Sequence, residues 1–94
     1  MTYTHLGHPY EVYTRKTTYQ NNGNLAILLV CDTGEPFGNL TVNLGEKLPD
    51  DMAYVDTNNL PNAEEFIREN NLGEPVGHLR QSGFCTYPLY KFNF

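Results

Sequence analysis

At 94 residues the chain has room for one hydrophobic core and not two, since a domain of this size withdraws roughly 60 to 65% of its unfolded surface from water; residues 1–94 therefore read as a single domain. Eleven acids against six cations give a formal net charge of −5, and six scattered cations do not make the clustered basic surface that a nucleic-acid backbone requires. The only long apolar run, residues 25–31, falls far short of the roughly 20 residues that cross a bilayer, and MTYTHLGHPY lacks the basic and apolar regions of a secretory signal, so the expectation is a cytoplasmic protein with no membrane and no direct nucleic-acid partner.

Along the chain, THLGHP reads as a turn or a frayed lead-in, and Pro9, which cannot donate to a ladder, puts the start of the first strand after it. Tyr10 to Tyr19 alternates and is rich in Tyr, Val and Thr, which suit a pleated, half-buried surface. Asn21-Asn22-Gly23-Asn24 tolerates the positive φ of tight hairpin turns, so the first two strands should pair antiparallel. Leu25 to Cys31 is continuously apolar and is expected in the middle of the sheet or covered on both faces. A dense set of turn formers, Asp32 to Pro36, precedes Leu40, Val42 and Leu44, which alternate with Asn39, Thr41 and Asn43 as a third strand. Gly45 to Asp51 is a loop, and Met52 to Asp56 a short fourth strand.

One helix is written with both its ends. Asn62 is suited to cap the N-terminus and Glu65 to reach back to the cap, an Asn version of the capping box. Glu64 and Glu65 complement the helix dipole in the first turn. Ala63, Phe66 and Ile67 share one face, over which Leu72 closes after a turn at Gly73, giving a helix from Ala63 to Asn71. Beyond it, Val76 to Arg80 is a short edge strand, Ser82-Gly83 turns the chain, and Phe84 to Phe94 is aromatic and strand-like, with Pro88 confining it to an edge or to a position where no ladder bond is required. The fold class is α+β: a five- or six-stranded, mainly antiparallel sheet with one helix (about 63–71) packed on one face.

Acids are concentrated in the middle. Between Asp32 and Glu74 ten acids face only Lys47 and Arg68, while the flanks carry Glu11 against Arg15, Lys16, Arg80 and Lys91. A basic protein partner follows from that distribution, with Asp50, Asp51, Asp56, Glu64, Glu65 and Glu69 as the contact residues and Tyr54 as an aromatic anchor; the plainer reading is a surface kept acidic for solubility. Seven tyrosines exceed the needs of a small core, and they suit either an interface or cross-strand aromatic pairs. His5, His8, His78, Cys31 and Cys85 are the residue types that hold zinc, and a zinc module or a small His/Cys enzyme is the alternative function. Their spacing lacks a C-x-x-C pair, and His5 and His8 flank a Gly- and Pro-containing turn instead of a helix face. Asp50-Asp51 and Glu64-Glu65 are accounted for by solvation and by the helix dipole. No phosphate loop or nucleophile elbow is present in the sequence. The expectation is a non-enzyme without a cofactor.

GNLTVNL (residues 38–44), YVDTNN (54–59) and SGFCTYPLY (82–90), with NNGNLAILL upstream, resemble a numbered domain-of-unknown-function family of small bacterial proteins carried on conjugative elements and prophages of Firmicutes. The similarity runs over roughly residues 10 to 93. It implies a setting in which small acidic proteins disarm host defence. On that implication the function is an anti-CRISPR or anti-restriction inhibitor that binds a basic surface of a defence nuclease such as a Cas effector. A structural or accessory protein of the conjugative element is the further alternative.

Overall fold

The Asn21–Asn24 turn organises the first half of the computed structural model, which describes residues 1–94. Gly23 has φ 75°, its N–H donates to Tyr19 O at 2.8 Å, and Tyr19 N–H donates to Asn24 O at 2.9 Å. The turn joins β2 (His8–Thr18) to β3 (Leu25–Cys31), antiparallel from Thr18↔Leu25 to Val12↔Cys31. The expected lead-in is instead a strand, β1 (Thr2–His5), joined to β2 through Leu6 and Gly7, both at positive φ. Two successive positive-φ residues are the hairpin turn that matches strand twist. Leu does not announce such a turn, and β1 forms because Tyr3 is swallowed by the core.

Pro9 lies inside β2 at no loss to the ladder. Met1 and Val12 exchange both backbone bonds, Met1 N–H to Val12 O at 3.0 Å and Val12 N–H to Met1 O at 2.8 Å. Bonded and non-bonded pairs alternate in an antiparallel ribbon, so Tyr3↔Tyr10 and His5↔His8 are bonded pairs, and Thr4↔Pro9 is not.

The third strand expected over residues 39–44 is split. β4 (Pro36–Asn39) pairs with β3, and β5 (Thr41–Val42) belongs to the other sheet. Leu40 is the crossing point. Its N–H donates to Ile27 O and its O accepts from Asp56 N–H, both at 2.9 Å, while Thr41 Oγ1 accepts from Ile27 N–H at 3.1 Å. One residue thus bonds to both sheets and prevents a continuous strand.

The second sheet adds β6 (Met52–Val55), β7 (Gly73–Ser82) and β8 (Cys85–Phe92). In place of one five- or six-stranded sheet there are two four-stranded ones, β1-β2-β3-β4 and β5-β6-β8-β7, with every pair antiparallel. Pro88 sits in β8, between β6 and β7, so of the two places open to it the structure uses the one that needs no ladder bond, and not an edge. Pairing with β6 runs from Lys91 to Leu89 and stops there, and the β7 register shifts between Pro75 and Leu79, where Pro88 meets its partner. The irregularity leaves no ladder bond for Pro88 to break.

The helix α1 spans Ala63–Glu69, two residues shorter than expected at its C-terminus. Asn62 makes no side-chain cap bond; its amide donates instead to Thr4 O at 2.8 Å, and its backbone N–H donates to Tyr3 Oη at 3.1 Å. The capping-box expectation fails because β1 competes for that amide. At the other end Asn71 (φ 53°), and not Gly73, takes the left-handed position. Leu72 N–H reaches Ile67 O at 3.0 Å and Asn71 N–H reaches Arg68 O at 3.2 Å, the paired bonds of a Schellman motif.

Ala63, Phe66 and Ile67 of α1 are buried, in one cluster with Tyr3 and Ile27 of the first sheet and Val55, Tyr90 and Phe92 of the second. A smaller cluster of Leu48, Tyr54, Tyr87 and Leu89 lies under the 43–51 loop. No helix is long and apolar enough to cross a membrane.

Candidate functional site

The seven residues expected at a partner surface are dispersed by the fold. Tyr54 is 1% exposed, and its hydroxyl donates to Glu46 Oε1 at 2.9 Å; it is a core residue holding a surface carboxylate, and not an anchor. Asp56 is 7% exposed and stabilises the turn before α1, accepting from Asn59 N–H at 3.2 Å and Asn59 Nδ2 at 2.8 Å. Both lie at the end of β6, whose hydrophobic face draws them inward. Asp51 pairs with Lys91 at 3.8 Å. Lys91 and Tyr90 are neighbours on β8 and so point to opposite faces, and it is Tyr90 that turns to the helix. Asp50 and Asp51 are therefore separated from the helix acids by the sheet.

What remains together is a carboxylate face on α1. Glu64, Glu65 and Arg68 form one side of a groove closed by Gly73, Glu74, Pro75 and Tyr90; Glu74 is paired with Lys91, so its side chain leaves on the face opposite Tyr90, and two carboxylates meet one guanidinium in the groove. Glu64 accepts the Tyr90 hydroxyl at 2.7 Å, Arg68 stands 3.7 Å from Glu65, and Glu69 continues the exposed face by one helical turn. Three of the other cations are engaged elsewhere. Arg80 pairs with Glu46 at 2.7 Å, Lys91 with Asp51, and Lys47 donates to Asn22 O at 3.0 Å. Sequence reasoning missed Tyr90, whose hydroxyl holds Glu64, because the packing of β8 on α1, and not any spacing along the chain, brings the two together.

The alternative zinc constellation is spread over both sheets. His5 and His8 oppose each other across the β1–β2 turn, Cys31 ends β3, Cys85 begins β8, and the His78 ring lies 6.3 Å from that of Tyr54. No three His, Cys, Asp or Glu side chains converge as metal ligands must.

The tyrosines divide by environment. Tyr3, Tyr54, Tyr87 and Tyr90 are buried, Tyr19 is half-buried, and only Tyr10 and Tyr13 are exposed, so most of the seven serve packing. Burial raises the phenol pKa of Tyr3, Tyr19, Tyr54 and Tyr90 above the ordinary 10.0, and carboxylate acceptors push Tyr54 and Tyr90 further. Tyr87 is raised first by its hydrogen bond with Cys85 and then by burial. A phenol whose folded pKa lies above its unfolded one stabilises the fold fully below the unfolded value and loses that contribution as pH climbs to the folded one. Stability should thus fall progressively above about pH 10. Absorbance at 295 nm, followed against circular dichroism, should show part of the tyrosinate appearing only together with unfolding; full ionisation of all tyrosines in a folded protein would contradict this.

The chain belongs to the family described as "Domain of unknown function (DUF4313)", which matches residues 15–94. The match covers the second sheet, α1, β3, β4 and the end of β2 from Arg15, and excludes β1 and the start of β2. No curated protein and no solved structure matches the chain.

Proposed function

We propose that this member of the family is a protein-binding inhibitor, carried on a mobile element, that docks the carboxylate face of α1 on a basic nucleic-acid-binding surface of a host defence nuclease, such as a Cas effector or a restriction enzyme. The observation that supports it is the imbalance on α1: Glu64, Glu65 and Glu69 against Arg68, with Arg80 and Lys91 committed to Glu46 and Asp51. Such a face rivals a phosphate backbone for the same cations. It would speed encounter by electrostatic steering and weaken as salt rises. The mobile-element setting comes from the sequence resemblance, and it is the setting that names the nuclease. Asp50 and Asp51 have a marginal part in this reading, and Tyr54 and Asp56 only a supporting one.

Glu65 and Glu69 can be reversed to lysine together without touching the Glu64–Tyr90 hydrogen bond. In cells that carry the cognate nuclease, the wild-type protein should protect an incoming targeted plasmid, and the double variant should lose at least tenfold of that protection. Unchanged protection by a folded double variant would end the electrostatic reading.

A further inference from the structure

The geometry points to a groove between the free edge of β1 and helix α1 that takes an extended segment of a partner protein with lysine or arginine at alternate positions. This rests on the reading that the partner is basic and says how part of it is held.

The bonding phase of the β1–β2 ribbon decides which backbone groups are free. Because Met1 and Val12 form a doubly bonded pair, the N–H and C=O groups of Thr2 and Thr4 point away from β2. Of these four groups only Thr4 O is taken, by the Asn62 amide at 2.8 Å. Thr2 N–H, Thr2 O and Thr4 N–H face a groove of about 270 Å3 lined by Thr2, Thr4, Asn62, Glu65, Phe66 and Glu69. A strand added there would accept from two N–H groups and donate to one carbonyl, as in β-strand addition to a sheet edge.

The opposite wall sets the chemistry. Glu65 and Glu69 are one helical turn apart, and four residues of helix rise about 6 Å. Alternate residues of an extended strand are spaced by about 6.6 Å, so two basic side chains on one face of the bound segment meet the two carboxylates in register. A second copy of this chain is a poorer occupant, since β1 contains no cation and the pair would set like charges together.

The edges also differ in how they are guarded. Natural edge strands are blunted by proline, charge or bulges. β7, the edge of the other sheet, carries Pro75, Arg80 and a register shift with Gly77 at φ 83°. β1, Thr-Tyr-Thr-His, has none of these. Asn62 closes the Thr4 end, so the segment enters from the Thr2 end.

The probe is the capped pentapeptide acetyl-Val-Lys-Val-Lys-Val-amide, titrated into the labelled full chain and followed by amide NMR shifts, beside its Val-Glu-Val-Glu-Val counterpart. The lysine peptide should move Thr4 and residues 65–69, and the glutamate peptide should not. Affinity should fall at least fivefold in E65K/E69K and also in Thr4→Pro, which deletes an outward N–H without removing a bond to β2. Equal binding of the two peptides, or unaltered binding by Thr4→Pro, would overturn the groove. Shifts confined to Glu64, Glu74 and Tyr90 would overturn it while leaving the acidic face as the docking surface. No shift at millimolar peptide would also overturn it, and plasmid protection by the wild-type protein would then still decide the broader proposal.

Discussion

Phe66→Ala is expected to remove about 3 to 5 kcal/mol of folding stability, the usual loss when a buried phenylalanine leaves a cavity behind. The residue is 2% exposed, and its ring meets Tyr3 nearly edge-on at 5.4 Å between centroids. Tyr3 in turn packs on Phe37 at 5.5 Å and accepts the Asn62 N–H. The void would therefore open where α1, β1 and β4 meet, beneath the one β1 side chain that the core buries. A domain of this size has roughly 5 to 14 kcal/mol in total, so the variant should unfold at a much lower urea midpoint with an unchanged slope. Glu69→Ala on the exposed face should stay within about 0.5 kcal/mol of wild type. A loss below about 1 kcal/mol at Phe66 would mean that the helix does not seat this face in the core.

Gly73→Ala should be nearly as damaging for a different reason. A Cβ at this position would stand 2.5 Å from Lys91 O and 3.0 Å from Phe92 Cα, both backbone atoms of the strand to which Gly73 is paired. No flexible side chain can move aside, so the β7–β8 ladder or the chain leaving α1 has to shift. Overpacking of this kind costs about 1 to 3 kcal/mol, sometimes more, which for a domain of 60 to 100 residues lowers the melting temperature by roughly 4 to 8 °C per kcal/mol. Thermal melts followed by circular dichroism measure it directly. A variant that melts within about 2 °C of wild type would show that the close approach relaxes freely.

The same glycine shows where local reasoning stops. Its place after the helix reads as a turn signal, yet the turn is made by Asn71, and Gly73 is needed because β8 runs too close for a side chain. Likewise Asn62 has the right residue type for a cap and spends its amide on Thr4 O. The candidate face was partly legible: Glu64, Glu65 and Glu69 follow from helical spacing alone. Tyr54 and Asp56 are equally eligible in the sequence, but the fold buries both at the end of β6.

Short-range chemistry wrote the Asn21–Asn24 hairpin, the apolar β3, the brief β6 and the buried stripe of α1 into the residues themselves, because turn φ preference and side-chain periodicity act within a few positions. Tertiary structure alone decided that Leu40 divides the strands between two sheets, that Pro88 lies between two neighbours, that β1 exists, and which carboxylates reach solvent. Those outcomes depend on where distant backbone donors and acceptors come to rest, and a burial contest between segments at opposite ends of the chain leaves no mark on either segment taken alone.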